Sequence, residues 1–261
     1  MMPSSAVDVF AGRAGIVARI GCALLCLLIA ACAAHNPMAR WVPSPNHDMR
    51  GPILIVLHAT EQDSVQESLD TLRTRNSGGP VSSHYLVGRD GALYQLVDDE
   101  RRAWHAGPGR WGTITDVNSA SIGIELDNNG SDAYPPAQID ALLRLLADLC
   151  ARHGIPRGQV IGHADMAPAR KRDPGRLFPW ARLAAEGFGR WPDANAGDPP
   201  ADFNPMTALR VVGYPLDDPA AAIHAFHLHF RGLDVAPGGA PEQLDAEDAR
   251  ILHALTAPGD R

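Results

Sequence analysis

With 261 residues, 45% of them hydrophobic and 20% charged, the chain can bury a substantial core, which excludes disorder as its main state and a multi-span membrane protein. Lys+Arg 23 against Asp+Glu 30 gives a net charge of −7, with no basic surplus or basic patch, so no nucleic-acid partner is expected. The 25 glycines and 22 prolines announce many turns.

The N-terminus reads as an address. Arg13 and Arg19 precede an uncharged, mostly apolar stretch at 20–31. That stretch is short of the ~20 residues a spanning helix needs and suits a signal-peptide core. It closes on Ile29-Ala30-Ala31-Cys32, which resembles a bacterial lipobox; an ordinary signal peptide with a chance cysteine is the alternative. The lipobox implies removal of residues 1–31 and lipidation of Cys32. With Ala33 next, it implies an outer-membrane lipoprotein on the periplasmic side, held to the membrane by its lipid. Cleavage takes away Cys22 and Cys26, so Cys32 and Cys150 remain and no disulfide is expected, despite the oxidising compartment.

Residues 32–49 hold Pro37, Pro43 and Pro45 without periodicity and read as a tether. Ile53-Leu54-Ile55-Val56-Leu57 is a continuous β-branched run, as in a strand buried on both faces. Ser64 and Glu67 form a capping box ahead of Val65, Leu69 and Leu72, and Gly78-Gly79 is the expected helix stop. Short strands are expected at 84–87 and 93–96, around the turn Gly88-Arg89-Asp90-Gly91. Residues 121–126 alternate, with Ile122, Ile124 and Leu126 on one face and Gly123 and Glu125 on the other. Pro135-Pro136 opens a helix whose stripe is Ile139, Leu142, Leu143, Leu146, Leu149 and Cys150, ended by Gly154 and Pro156. Val160-Ile161 makes one more strand. This is an α/β layout at 50–192, a mixed sheet with helices packed on it. After a linker at 193–203, helix starts at Asn204-Pro205, Asp218-Pro219 and near Asp245 mark a small three-helix domain at 204–261. Its size is near the lower limit for independent folding.

Three potential metal ligands sit at strand ends or just beyond: His58, His163 and Asp173. Imidazole and carboxylate suit zinc, and three protein ligands leave a fourth position for water, the catalytic arrangement. No local spacing rule joins the three, and each histidine taken singly reads as a hydrogen-bonded core or rim residue. Glu125 is a carboxylate in an otherwise apolar strand. Buried without a partner it is costly, so it should meet a cation, a metal-bound water or solvent in a cleft; a strand-edge glutamate facing solvent is the alternative. Lys171, two residues before Asp173, would share a side with it in an extended loop and bring an ammonium to the same place.

Five ordered stretches carry a resemblance. They are Leu57-His58-Ala59-Thr60, the run from Ser83-His84-Tyr85 to Asp90-Gly91, Ala103-Trp104-His105-Ala106-Gly107, Ser121-Ile122-Gly123-Ile124-Glu125-Leu126, and Gly162-His163-Ala164-Asp165 with Arg170-Lys171-Arg172-Asp173-Pro174-Gly175. Together they resemble the zinc N-acetylmuramoyl-L-alanine amidases of the Amidase_2 and peptidoglycan recognition protein family. The resemblance implies a zinc enzyme, one ion per chain held by His58, His163 and Asp173, acting as a monomer on peptidoglycan and muropeptides. It implies Glu125 as general base, because Ser83 stands where another branch has a catalytic tyrosine, and Lys171 as the catalytic lysine. It further implies that His105 and Arg170 touch peptide or sugar. A non-catalytic peptidoglycan-binding lipoprotein is the competing reading, disfavoured by the presence of the third ligand. In the tail, Leu209, Gly213-Tyr214-Pro215, Ala225-Phe226-His227 and Phe230 resemble a peptidoglycan-binding domain, with departures at His227 and at Pro237-Gly238-Gly239.

Overall fold

A computed structural model describes residues 35–49, 51–76, 79–234 and 243–257. The leader, Cys32 and residues 237–239 lie outside the described residues. In chain order the strands are β1 (Arg40–Trp41), β2 (His47–Met49), β3 (Leu54–Ala59), β4 (Arg75–Asn76), β5 (Gly79–Pro80), β6 (Tyr85–Val87), β7 (Leu93–Gln95), β8 (Arg101–Ala103), β9 (Ser121–Leu126) and β10 (Val160–Gly162). The helices are α1 (Val65–Arg73), α2 (Val117–Ala120), α3 (Pro136–His153), α4 (His163–Met166), α5 (Trp180–Ala185), α6 (Pro205–Val212), α7 (Pro219–Phe230) and α8 (Ala246–Thr256).

Six strands form the main sheet in the order β1-β7-β6-β9-β3-β10. β3 runs parallel to both neighbours, β9 and β10, as its unbroken apolar run predicts, and only the β6–β7 pair is antiparallel. Successive residues of β3 serve opposite faces. Ile55 and Leu57 join Ile122, Ile124 and Leu126 beneath α3, whose Leu142, Leu145, Leu146 and Leu149 are fully buried. Burial of that kind contributes ~1.5–3 kcal/mol per side chain. Leu54 and Val56 point the other way, into a core with Leu209, Tyr214, Phe226 and Leu252 of the tail. His58 has the parity of Leu54 and Val56, and Glu125 lies directly opposite it in register. The alternation therefore delivers His58, Gly123 and Glu125 to the one face that α3 leaves open.

Local signals were accurate at helix starts. Ser64, Asn204, Asp218 and Asp245 each accept a backbone N–H three residues on, and Gly154 ends α3 with φ 66°. Three expectations need correction. α1 stops at Thr74, before the glycines, because the chain turns extended there to enter the β4–β5 hairpin. The stretch read as a tether is folded from residue 40 onward, since β1 pairs with β7 and β2 with β8, backbone pairings that no side-chain period announces. The three C-terminal helices do not stand apart: Met38–Arg261 form one compact unit, and the tail closes a core with the main sheet. Gly213 comes so close to Trp111 that an added Cβ would lie 2.6 Å from the indole, and Gly112 N–H donates to the Gly213 carbonyl at 2.8 Å.

Candidate metal centre and its cleft

His58 near the end of β3, His163 at the start of α4 and Asp173 in the following loop meet at one point. His58 Nδ1 is 2.9 Å from His163 Nδ1 and 3.4 Å from Asp173 Oδ2, and His163 Nδ1 is 3.1 Å from the same oxygen. Zinc bonds of ~2.0–2.2 Å in a tetrahedron place neighbouring donor atoms about 3.3 Å apart, so this triangle has the dimensions and donor chemistry of a zinc site. All three residues are buried. Backbone holds the two halves together, through Ala164 N–H to the Asp173 carbonyl at 2.9 Å, while Tyr134 OH donates to the Pro174 carbonyl at 2.7 Å.

The surrounding hydrogen bonds decide which nitrogens are available. His163 Nε2 lies 2.9 Å from the Ala106 carbonyl, which can only accept, so Nε2 carries the proton and Nδ1 keeps its lone pair. A longer relay sets His58. Ser121 OH donates to the Val117 carbonyl at 2.6 Å, so its oxygen accepts from His105 Nε2 at 3.3 Å. His105 Nδ1 then accepts from His58 Nε2 at 2.9 Å, and His58 Nδ1 is left with its lone pair toward Asp173. Both imidazoles are thereby preset as neutral ligands, the usual task of groups behind a metal-binding histidine. Burial and the neighbouring His163 push His58 down to about 4, which keeps it neutral at pH 7. Burial pushes the Asp173 carboxyl up, while positive charge at His163 and His58 outweighs it and holds it well below the ordinary range; with both imidazoles neutral, that charge has to come from a bound cation.

Glu125 stands beside this triangle in a cleft of about 230 Å³ shared with Thr60, Glu61, Trp104 and Lys171. Its Oε2 is buried without a hydrogen-bond partner among the described residues. Burial first, then the Asp173 and Glu61 carboxylates, push it up to about 8, with Lys171 pulling the other way. Lys171 reaches the cleft from a turn, its N–H on the Ala167 carbonyl at 2.9 Å, where an extended loop was expected.

His105 and Arg170 have holding roles that the sequence did not disclose. His105 is the middle of the relay, and its ring packs so closely over Gly123 that an added Cβ there would lie 2.4 Å away. The space over Gly123 is therefore filled by the His105 ring. Arg170 Nη2 donates to the carbonyls of Ala106 at 2.7 Å and Pro108 at 2.8 Å, fixing the same Ala106 oxygen that orients His163. Ser83 Oγ is spent on the Gly123 and Tyr85 carbonyls. The fully buried His84 accepts from Gly123 N–H and donates to the Arg101 carbonyl, so it has no lone pair to offer as a base. Of the cleft's buried acceptor atoms, Glu125 Oε2 has no hydrogen-bond partner among the described residues.

The N-acetylmuramoyl-L-alanine amidase family (Amidase_2) matches residues 48–176. N-acetylmuramoyl-L-alanine amidase AmiD of Escherichia coli K12 is 37% identical over 77% of this chain and 81% of its own. This chain belongs to the N-acetylmuramoyl-L-alanine amidase family. The structure of E. coli AmiD with anhydro-N-acetylmuramic acid-L-Ala-D-gamma-Glu-L-Lys superposes with TM-score 0.67 at 36% identity, covering 78% of this chain and 89% of that one. Pseudomonas aeruginosa AmpDh3 in complex with anhydromuramic pentapeptide gives TM-score 0.66 at 30% identity, over 85% of this chain and 96% of its own. The shorter 1,6-anhydro-N-acetylmuramyl-L-alanine amidase AmpD of E. coli K12 is 35% identical over 56% of this chain and 90% of its own. Within this amidase family the mixed α/β sheet described above is the shared frame.

Proposed function

We propose that the protein cleaves the amide bond between the lactyl group of N-acetylmuramic acid and the L-alanine of the stem peptide, in peptidoglycan and muropeptides, with one zinc ion held by His58, His163 and Asp173. The observation that carries the reading is the convergence of three neutral or anionic donor atoms at zinc spacing beside a glutamate oxygen with no hydrogen-bond partner among the described residues. Zinc bound there would supply Lewis acidity toward water and the amide carbonyl. With the Asp173 charge that helps push it up offset by the bound cation, Glu125 would be ionised and take one proton from the attacking water as the C–O bond forms. It returns that proton to the L-alanine nitrogen as the C–N bond breaks, leaving a carboxylic acid and a free amine. The Lys171 ammonium faces the developing oxyanion. His105 and Arg170 also border the clefts flanking the centre, and we assign glycan or peptide contacts to them there.

The relatives crystallised with anhydromuramyl peptides make such a muropeptide the first substrate to try. The expected result is one zinc per chain and release of free stem peptide from it and from sacculi. Neither zinc nor released peptide would overturn the proposal. Zinc-independent binding to sacculi without cleavage would instead support a non-catalytic peptidoglycan-binding protein. We further propose that the mature protein is a monomeric outer-membrane lipoprotein anchored through Cys32 and acting in cell-wall turnover or recycling. Cys32→Ser should leave soluble or uncleaved protein with an active catalytic unit; unchanged processing and membrane fractionation would refute the anchor.

A further inference from the structure

The tail residues that resemble a peptidoglycan-binding domain are buried: Leu209, Tyr214, Phe226 and Phe230 face the shared core, and His227 pairs with buried Asp248. Two of the polar tail groups reach further. Asp165, two residues after the ligand His163, is 1% exposed. Its Oδ2 accepts the N–H of Gly162 at 2.7 Å, the bond that starts the α4 turn and sets the backbone at His163. The same carboxylate is held from the tail. Tyr214 OH donates to Oδ1 at 2.6 Å, and His229 Nδ1 donates to Oδ2 at 2.7 Å. The His229 ring is pinned by stacking on Trp180, with ring centres 3.8 Å apart and planes 10° apart. Packing is as tight behind the turn, where an added Cβ on Gly162 would lie 2.9 Å from Pro174 and 3.2 Å from Trp180. On the other side of the ligand loop, Arg172, adjacent to Asp173, contacts His224 of α7, which itself pairs with Asp234 at 2.8 Å. α7 thus grips both ends of the segment that carries His163, Lys171 and Asp173.

We propose that the C-terminal helices are a positioning element of the metal centre, with Tyr214 and His229 as positioning residues that hold Asp165 and, through it, the turn presenting His163. The inference rests on the zinc reading above. A buried carboxylate that keeps three donors fixes its surroundings, and removing one donor leaves it under-satisfied. Groups directly behind a ligand are worth 10–100-fold in metal affinity. Tyr214 acts one bond further away, so Tyr214→Phe, which deletes only the hydroxyl, should weaken zinc about 3- to 10-fold.

The test uses the full-length mature protein, wild type and three variants. Zinc affinity is measured by competition with a chromophoric chelator, thermal stability by calorimetry of the zinc-free protein, and kcat and KM on an anhydro-muropeptide with and without excess zinc. Tyr214→Phe and His229→Phe should lose zinc affinity, lower kcat at limiting zinc with KM little changed, and recover kcat in excess zinc. Val212→Ala, which removes packing in the same core but no bond to Asp165, should lower the melting temperature and leave zinc affinity at the wild-type value. Wild-type zinc affinity in Tyr214→Phe and His229→Phe would overturn the proposal, as would zinc loss in Val212→Ala that matches theirs. If the wild type itself binds no zinc, the functional reading fails first and the positioning role falls with it.

Discussion

Two buried polar clusters lie in the same protein unit and behave oppositely. Behind the sheet, Asp99 is enclosed by Tyr85 OH at 2.7 Å, Gln95 Nε2 at 3.2 Å, Arg152 at 2.8 Å and His153 at 3.0 Å. Burial alone would push its carboxyl up, but the hydrogen bonds from His153 and Tyr85 and the Arg152 charge outweigh it and hold it at about 2. Every charge there has its complement, and the cluster fastens the end of α3 to the sheet. At the metal centre the three ligand residues are equally buried, with Glu125 half-buried beside them, but the ligands converge on one another with lone pairs facing. Two Nδ1 atoms and a carboxylate oxygen share a single point, and Glu125 Oε2 has no partner among the described residues. Because an unsatisfied buried group costs ~1–3 kcal/mol, a fold keeps such a convergence only when something else supplies the missing interaction. The contrast between closed and open networks separates a structural cluster from a reactive one.

The contrast breaks most sharply at the ligands. His163→Ala removes one of three donors, and zinc and activity should both be lost. Stoichiometric zinc with normal turnover in that variant would place the metal elsewhere.

Next in size is Glu125→Gln, which keeps shape but cannot accept a proton. Zinc content should stay at one per chain while kcat falls by ~10²–10⁴. Loss of zinc would make Glu125 a ligand or a holding group, and full activity would move the base to another residue.

The relay behind His58 should come third. His105→Ala removes the acceptor of His58 Nε2–H and should weaken zinc ~10–100-fold. Asn at the same position offers an amide oxygen and should recover part of the loss. Equal affinities in the two variants would mean that the relay does not set the His58 tautomer.

The closed cluster should affect catalysis least. The Asp99 pKa is depressed in the folded state from an ordinary 3.8 to about 2. Its contribution to stability is therefore complete above about pH 5 and is lost as pH falls through the window from about 4 to 2, with an integrated size of about 2 kcal/mol. Asp99→Asn should lower stability at pH 7 by about that amount, flatten its acid dependence in that window, and leave kcat of the folded enzyme unchanged. A large drop in kcat would show that the two clusters are coupled.

How much of this was legible beforehand differs by kind of interaction. The β3 run, the alternation in β9, the stripe of α3 and the caps at Ser64, Asn204, Asp218 and Asp245 are periodic or local, so the residues themselves announce them. The choice of His58, Glu125, His163, Lys171 and Asp173 came from ordered motifs, and the structure gathers all five around one cleft. The pairings of β1 and β2 were not legible, because backbone ladders leave no mark in side-chain periodicity at two or three residues.

What the sequence determined by itself is the set of elements and the chemical identity of the groups, since propensity, capping and alternation act over a few residues. Tertiary structure alone decided which groups are committed. His84 and Ser83 look as available as His105 in the sequence, but parallel strands bring Gly123 against the first two and consume their hydrogen-bonding capacity. The tail looks like a separate module, yet Leu54 and Val56 need cover on the face opposite α3, and α6–α8 provide it. Burial on two faces and the satisfaction of every polar atom are properties of residues distant in the chain, and only the folded arrangement fixes them.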